Sequence, residues 1–123
     1  MSIIHKLLGS LILFIDWLTS PKGIERTKAM QAIVDEQSRT MTLYQYKACP
    51  FCVKVRRAMK RQSLPIETRD AKRSEAAKIE LLSGGGKLTV PCLKVIDDAG
   101  SETWMYESGD IIRYLEQRFC AES

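Results

Sequence analysis

Histidine is almost missing from this chain, and that scarcity excludes a good deal. The one histidine, His5, lies in an apolar segment far from any pair of cysteines. Zinc sites show paired ligands at recognisable spacing, so Cys49-x-x-Cys52 is half of a site with no second half. No metal is expected on that ground. Cysteine is sparse too: Cys49, Cys52, Cys92 and Cys120 are unevenly spaced. They do not make a secreted disulfide framework, and so short a loop as that between Cys49 and Cys52 would staple little. Free thiols in a reducing, cytoplasmic setting are expected instead. Repeats and low-complexity tracts are absent. Lys and Arg are spread among acids rather than interleaved with aromatics, and the net charge is a modest +4. Nucleic acid is therefore not an expected partner, whereas a small anionic ligand suits a mildly basic face.

What is present divides near Thr40. Residues 1–40 read as a helical extension and residues 41–123 as one domain with enough chain for a real core. In the extension, residues 3–18 are apolar, and residues 21–37 read as a polar helix with Ser20 as N-cap and Pro21 at its first position. Beyond Thr40 the pattern alternates. Strands are expected at 42–46, 65–69, 91–96 and 102–105, and helices at 50–62, 72–82 and 108–119. Gly84-Gly85-Gly86 stops the second of these helices, and Asp97-Asp98-Ala99-Gly100 makes a hairpin turn. The order is β-α-β-α-β-β-α. Its opening strand–helix–strand implies a parallel pair with a right-handed crossover, and its hairpin adds an antiparallel edge.

Cys49-Pro50-Phe51-Cys52 lies between the first strand and its helix. Unpaired N–H groups and the helix macrodipole favour an anion at such a position. For cysteine that anion is the thiolate, the reactive form. Pro50 fits the first turn, where its missing N–H costs nothing. The local physics describes a nucleophile with a second thiol one turn away.

Two further motifs align with this one. Thr89-Val90-Pro91 enters the third strand, and Glu107-Ser108-Gly109-Asp110 opens the last helix. Each has a plain alternative, a strand entry with an edge proline and a well-capped helix start. Together and in this order, over about residues 41–120, they resemble the glutaredoxins, which have the thioredoxin fold. The resemblance implies an α/β thioredoxin fold with a four-stranded mixed sheet and a glutathione-dependent thiol–disulfide oxidoreductase. It implies that Cys49 takes up the glutathionyl group, that Cys52 resolves, and that Pro91 is a cis-proline. Thr89 would shape that loop, and the backbone of Val90 would pair with glutathione as an added strand does. Glu107, Ser108 and Asp110 would hold the γ-glutamyl end, the helix N-terminus taking its carboxylate and an acid its ammonium.

Two departures from small glutaredoxins stand out. Tyr106-Glu107 replaces a common Gly-Gly pair, and Glu107-Ser108 is more similar to glutathione transferases and to the larger transferase-like bacterial glutaredoxins. Tyr46 stands where a lysine often lies three before the nucleophile, leaving Lys47 or Lys87 to meet the glycine carboxylate. Glutathione is the implied co-substrate, and glutathionylated or disulfide-bearing proteins are the implied partners. Two other classes are a dimer bridging a [2Fe–2S] cluster, which Pro50 disfavours, and a glutathione-binding adaptor without turnover, which an intact Cys49 disfavours. Cys92 reads as a core thiol and Cys120 as a bystander.

Residues 3–18 lie outside what that fold needs. Ile4, Leu7, Leu8, Leu11, Ile12, Ile15 and Leu18 recur at helical spacing. A helix of that length, about 24 Å at 1.5 Å per residue, falls short of the roughly 30 Å hydrocarbon core. Trp17, Lys22, Arg26 and Lys28 follow as interfacial anchors would. The expectation is a helix that lies on a membrane surface, on the domain itself or on a second copy of the chain.

Overall fold

The computed structural model describes residues 2–119. Cys120 therefore lies outside the described residues. Four strands form one sheet, ordered β2-β1-β3-β4: β1 Met41–Gln45, β2 Glu67–Asp70, β3 Cys92–Ile96 and β4 Glu102–Met105. β2 runs parallel to β1, while β3 is antiparallel to β1 and β4 to β3. The helices are α1 Ser2–Leu18, α2 Lys28–Ser38, α3 Pro50–Arg61, α4 Glu75–Glu80 and α5 Ser108–Phe119. From β1 onward this is the β-α-β-α-β-β-α thioredoxin-like order, preceded by an N-terminal helix.

Strand alternation sends side chains to both faces of the sheet. Leu43, Leu93 and Val95 point to one side, where Val55 and Met59 of α3 and Ile111, Leu115 and Phe119 of α5 close the main core. Val34 of α2 enters the same core. On the other face Tyr44 and Cys92 pack against Ala77 of α4 and Leu81, with Trp104 and Tyr106 beside them. Leu81–Gly85 continue from α4 as one wide π-type turn. A Cβ on Gly84 would stand 2.1 Å from the Trp104 ring, so the glycines let this turn lie flat on Trp104 and Tyr106. The helical run thus extends to Gly85 and stops at Gly86, the last residue of the triple glycine, which takes the left-handed φ of 84°.

The helix expected from Pro21 begins instead at Lys28, capped by Thr27, whose Oγ1 accepts from the Met30 N–H. Residues 20–27 form a non-helical strap over the end of α3. The Ile24 N–H donates to the Arg61 carbonyl at 3.0 Å, and Arg26 donates to the Gln62 carbonyl at 2.6 Å. These acceptors are among the carbonyls that a helix C-terminus leaves unpaired. Their capture outweighs the local start signal at Ser20-Pro21. β2 also begins two residues late, since Pro65 has no N–H to give a ladder and pairing starts at Glu67. α4 starts at Glu75, not near Lys72, because Asp70 Oδ1 takes the N–H groups of Lys72 and Arg73 into a turn and Ser74 supplies the cap.

Candidate active site

The register brings the three motifs to one end of the sheet. Tyr44 of β1 stands opposite Cys92 of β3, and Leu93 opposite Met105 of β4. Residues 46–49, 89–91 and 106–108 therefore all leave or enter the sheet at the same edge. The Val90–Pro91 peptide bond is cis.

Cys49 is the N-cap of α3, with extended backbone (φ −71°, ψ 127°), and Pro50 follows in the first turn. Its carbonyl accepts the first helical bond from Val53 at 2.9 Å. Its side chain is part-exposed, whereas Cys52, one turn on, is fully buried. The two share a side-chain hydrogen bond, and the Tyr46 N–H donates to Cys52 Sγ at 3.4 Å. Burial pushes the Cys52 thiol up to about 12, with a further rise from Cys49 and an opposing pull from the Tyr46 N–H. Cys49, Cys52 and Cys92 are all free thiols.

Arg56 fixes the loop before Cys49. It donates to Gln45 Oε1 at 2.6 Å and to the Lys47 carbonyl at 2.8 Å. Arg56 and Arg57 belong to the run of basic residues on α3, which by composition alone suits a solvated face. Both are tied down instead, Arg57 by Asp16 at 3.1 Å and by the Thr19 carbonyl at 2.8 Å. The i+7 spacing of Arg56 from Cys49, two turns along one face, was the available signal.

On the opposite flank, Tyr106 reaches Cys92 through a side-chain hydrogen bond and donates to the Lys87 carbonyl at 3.2 Å. Lys87 Nζ stands 5.4 Å from the centre of the Tyr106 ring. Lys87 thus lies on the Tyr106 side of the sheet end, and Lys47 on the Cys49 side. Burial raises the Cys92 thiol to about 11, against the Tyr106 hydrogen bond that lowers it. Of the last motif, Glu107 is exposed and its carbonyl accepts from the Ile111 N–H at 2.9 Å. Ser108 begins α5, and Asp110 is paired with Arg113.

A cleft of about 580 Å³ opens beside Cys49. Tyr46, Lys47, Ala48, Cys49 and Pro50 line one side, with Asp70, Lys72 and Arg73 at its rim. The other wall is α1, through His5, Leu8, Gly9, Ile12 and Leu13. Thr89, Val90, Pro91, Glu107, Ser108 and Asp110 do not line this cleft. Placement of α1 beside the thiol was missed in the sequence. Gly9 was the one clue, because a Cβ there would stand 3.1 Å from that of Ala48.

Residues 43–123 match the family of the glutathione S-transferase N-terminal domain. The chain belongs to that family. A solved structure of glutathione transferase Omega 3C from Trametes versicolor shares the fold, with a TM-score of 0.53 at 18% identity. The match covers 80% of this chain and 41% of that one, so the chain spans less than half of the transferase's length. No curated protein matches. In this glutathione S-transferase N-terminal domain the thioredoxin-like sheet thus carries a dithiol at the start of its first core helix.

The buried thiols make stability pH-dependent. In the unfolded chain they ionise near 9.0; in the fold they hold their protons to about 12 and about 11. Between those limits the unfolded state binds fewer protons than the native state, so stability falls as pH rises. Urea midpoints should be level below pH 9 and drop steadily toward pH 11. A flat profile through that window would show that neither thiol is held protonated.

Proposed function

We propose that this domain is a glutathione-dependent thiol–disulfide oxidoreductase of glutaredoxin type, residues 41–123 forming the redox unit and residues 1–40 an accessory extension. The observation that carries it is the asymmetry of the pair: Cys49 part-exposed at a helix N-terminus, Cys52 buried and in contact with it. A thiolate on Cys49 sits at the positive end of α3 and is open to substrate.

In the main route, the Cys49 thiolate attacks the glutathione sulfur of a protein–glutathione mixed disulfide. The old S–S bond breaks, and the protein thiolate leaves and takes a proton. Cys49 is then glutathionylated. A second glutathione, as thiolate, attacks that glutathionyl sulfur, releases oxidised glutathione and restores the Cys49 thiolate. A protein disulfide takes the second route, in which Cys52 attacks the mixed disulfide on Cys49 and two glutathiones later reduce the Cys49–Cys52 bond. That route requires Cys52 to give up a proton that burial holds firmly. The single-thiol route does without that deprotonation.

For glutathione, the Val90 backbone beside cis-Pro91 supplies strand-like pairing, shaped by Thr89. Glu107, Ser108 and Asp110 receive the γ-glutamyl end. The glycine carboxylate is met by Lys47, on the Cys49 side with Tyr46, or by Lys87 on the Tyr106 side. Glu107→Gln should raise KM for glutathione, with a loss of roughly 1.5–3 kcal/mol for one charged hydrogen bond. A mixed disulfide lacking the γ-glutamyl ammonium should be used as before. Unchanged selectivity between the two substrates would argue against a γ-glutamyl site here. The test of the whole reading is glutathione-coupled reduction of a small mixed disulfide by the full chain and by each cysteine variant.

A further inference from the structure

α1 touches the domain along one narrow seam. Gly9, Ile12, Leu13 and Asp16 are its half-buried residues, spaced as one helical face. Gly9 lies on Ala48, and Asp16 pairs with Arg57. The opposite face points away from the protein. Ile4, Leu7, Leu11, Phe14, Ile15 and Leu18 form a continuous apolar stripe there, each between 49% and 69% exposed. So large a contiguous patch marks an interaction surface.

Its surroundings say what covers it. Lys47, Lys72 and Arg73 rim the cleft that α1 walls, and all three are exposed. At the far end Lys60 holds Ser20, and Lys22 is exposed just beyond. Nearby acids are engaged: Asp16 by Arg57, and Asp70 by the N–H groups of Lys72 and Arg73. Glu25, in the strap, is exposed. A two-fold interface would cover the stripe with its own copy but would not of itself bring counter-charge to the basic rim. An anionic surface meets the rim with opposite charge instead. Trp17, 73% exposed at the end of the stripe, suits a headgroup layer. No helix among the described residues is long and apolar enough to cross a membrane. At 17 residues α1 is about 25 Å long, which fits a helix lying in the plane of the interface.

We propose that α1 docks this protein on an anionic lipid surface, stripe inward and basic rim on the headgroups, so that the Cys49 cleft opens beside the bilayer. The proposal does not depend on the redox reading, and its readout is binding, not turnover.

The full chain is sedimented with vesicles of phosphatidylcholine mixed with phosphatidylglycerol, and with phosphatidylcholine alone. It should pellet with the first, far less with the second, and be released by salt. Tryptophan emission should shift to the blue on binding through Trp17, because Trp104 is stacked on Tyr44 within the fold. Leu7→Asn combined with Leu11→Asn should weaken binding at least about a hundredfold, since two buried leucine side chains are lost from the lipid. Thermal melting of that variant should match the parent, because both positions face outward. Equal binding to both vesicles would overturn the proposal, as would pelleting of the double variant. Failure to pellet with either vesicle would also overturn it, and a concentration-dependent dimer by light scattering would then assign the stripe to a second copy.

Discussion

Cys49→Ser should bring glutathione-coupled reduction of a small mixed disulfide to background, while Cys52→Ser should keep most of it. Serine at position 49 keeps the geometry of the N-cap but replaces a soft thiolate by a hydroxyl that stays protonated near neutrality. Among the described residues nothing else at that end of the sheet replaces it: Cys52 and Cys92 are fully buried, with thiols pushed up to about 12 and about 11. Serine at position 52 is nearly isosteric, and its oxygen can still accept the Tyr46 N–H that now meets Cys52 Sγ. The two-thiol route disappears in that variant, so reduction of a protein disulfide should fall while deglutathionylation persists. Comparable losses in both variants, on both substrates, would sink the assignment of nucleophile and resolving thiol.

The parts of this architecture that read directly from the sequence are those decided by local chemistry. α5 begins at Ser108, with the acidic first turn and the apolar spacing that the sequence shows. The hairpin closes at Asp97, whose carboxylate accepts from the Ala99 and Ser101 N–H groups, and Gly100 takes the positive φ of 84°. Cys49 and Pro50 stand at the start of α3 because both suit a helix N-terminus. What failed locally was settled by distant partners. Ser20-Pro21 has the form of a helix start, yet the strap after it serves the carbonyls of Arg61 and Gln62, some forty residues later. Gly23 lets the strap lie close on that end of α3, since a Cβ there would meet Ser63 Oγ at 2.5 Å and the Lys60 carbonyl at 2.9 Å. Asp70 likewise pulls Lys72 and Arg73 out of α4. The wall that α1 lends to the Cys49 cleft could not be inferred from periodicity, which is silent on what a helix packs against.

A fold–site coupling runs through the triple glycine, and substitution there should have the largest effect on stability. Gly84→Ala would put a methyl group 2.1 Å from Cζ2 of Trp104. That ring cannot retreat freely, because it stacks on buried Tyr44 with centroids 5.5 Å apart and Lys94 lies over it at 5.5 Å. Overpacking of this kind costs about 1–3 kcal/mol. Gly85→Ala would place its methyl 1.8 Å from the Tyr106 hydroxyl. There the ring end must move, and its links to Cys92 and the Lys87 carbonyl go with it. Those links tether the segment that leads into Val90 and cis-Pro91. Gly84→Ala should therefore lower the urea midpoint with little change in KM for glutathione, and Gly85→Ala should raise that KM as well. Tyr106→Phe removes the oxygen and leaves Cζ 2.9 Å from the added methyl. Combining it with Gly85→Ala should return part of the stability lost by the glycine change, a coupling measurable in a double-mutant cycle. Strict additivity of the two changes would show that the turn and Tyr106 do not bear on each other, and the route from the glycines to the glutathione loop would fall.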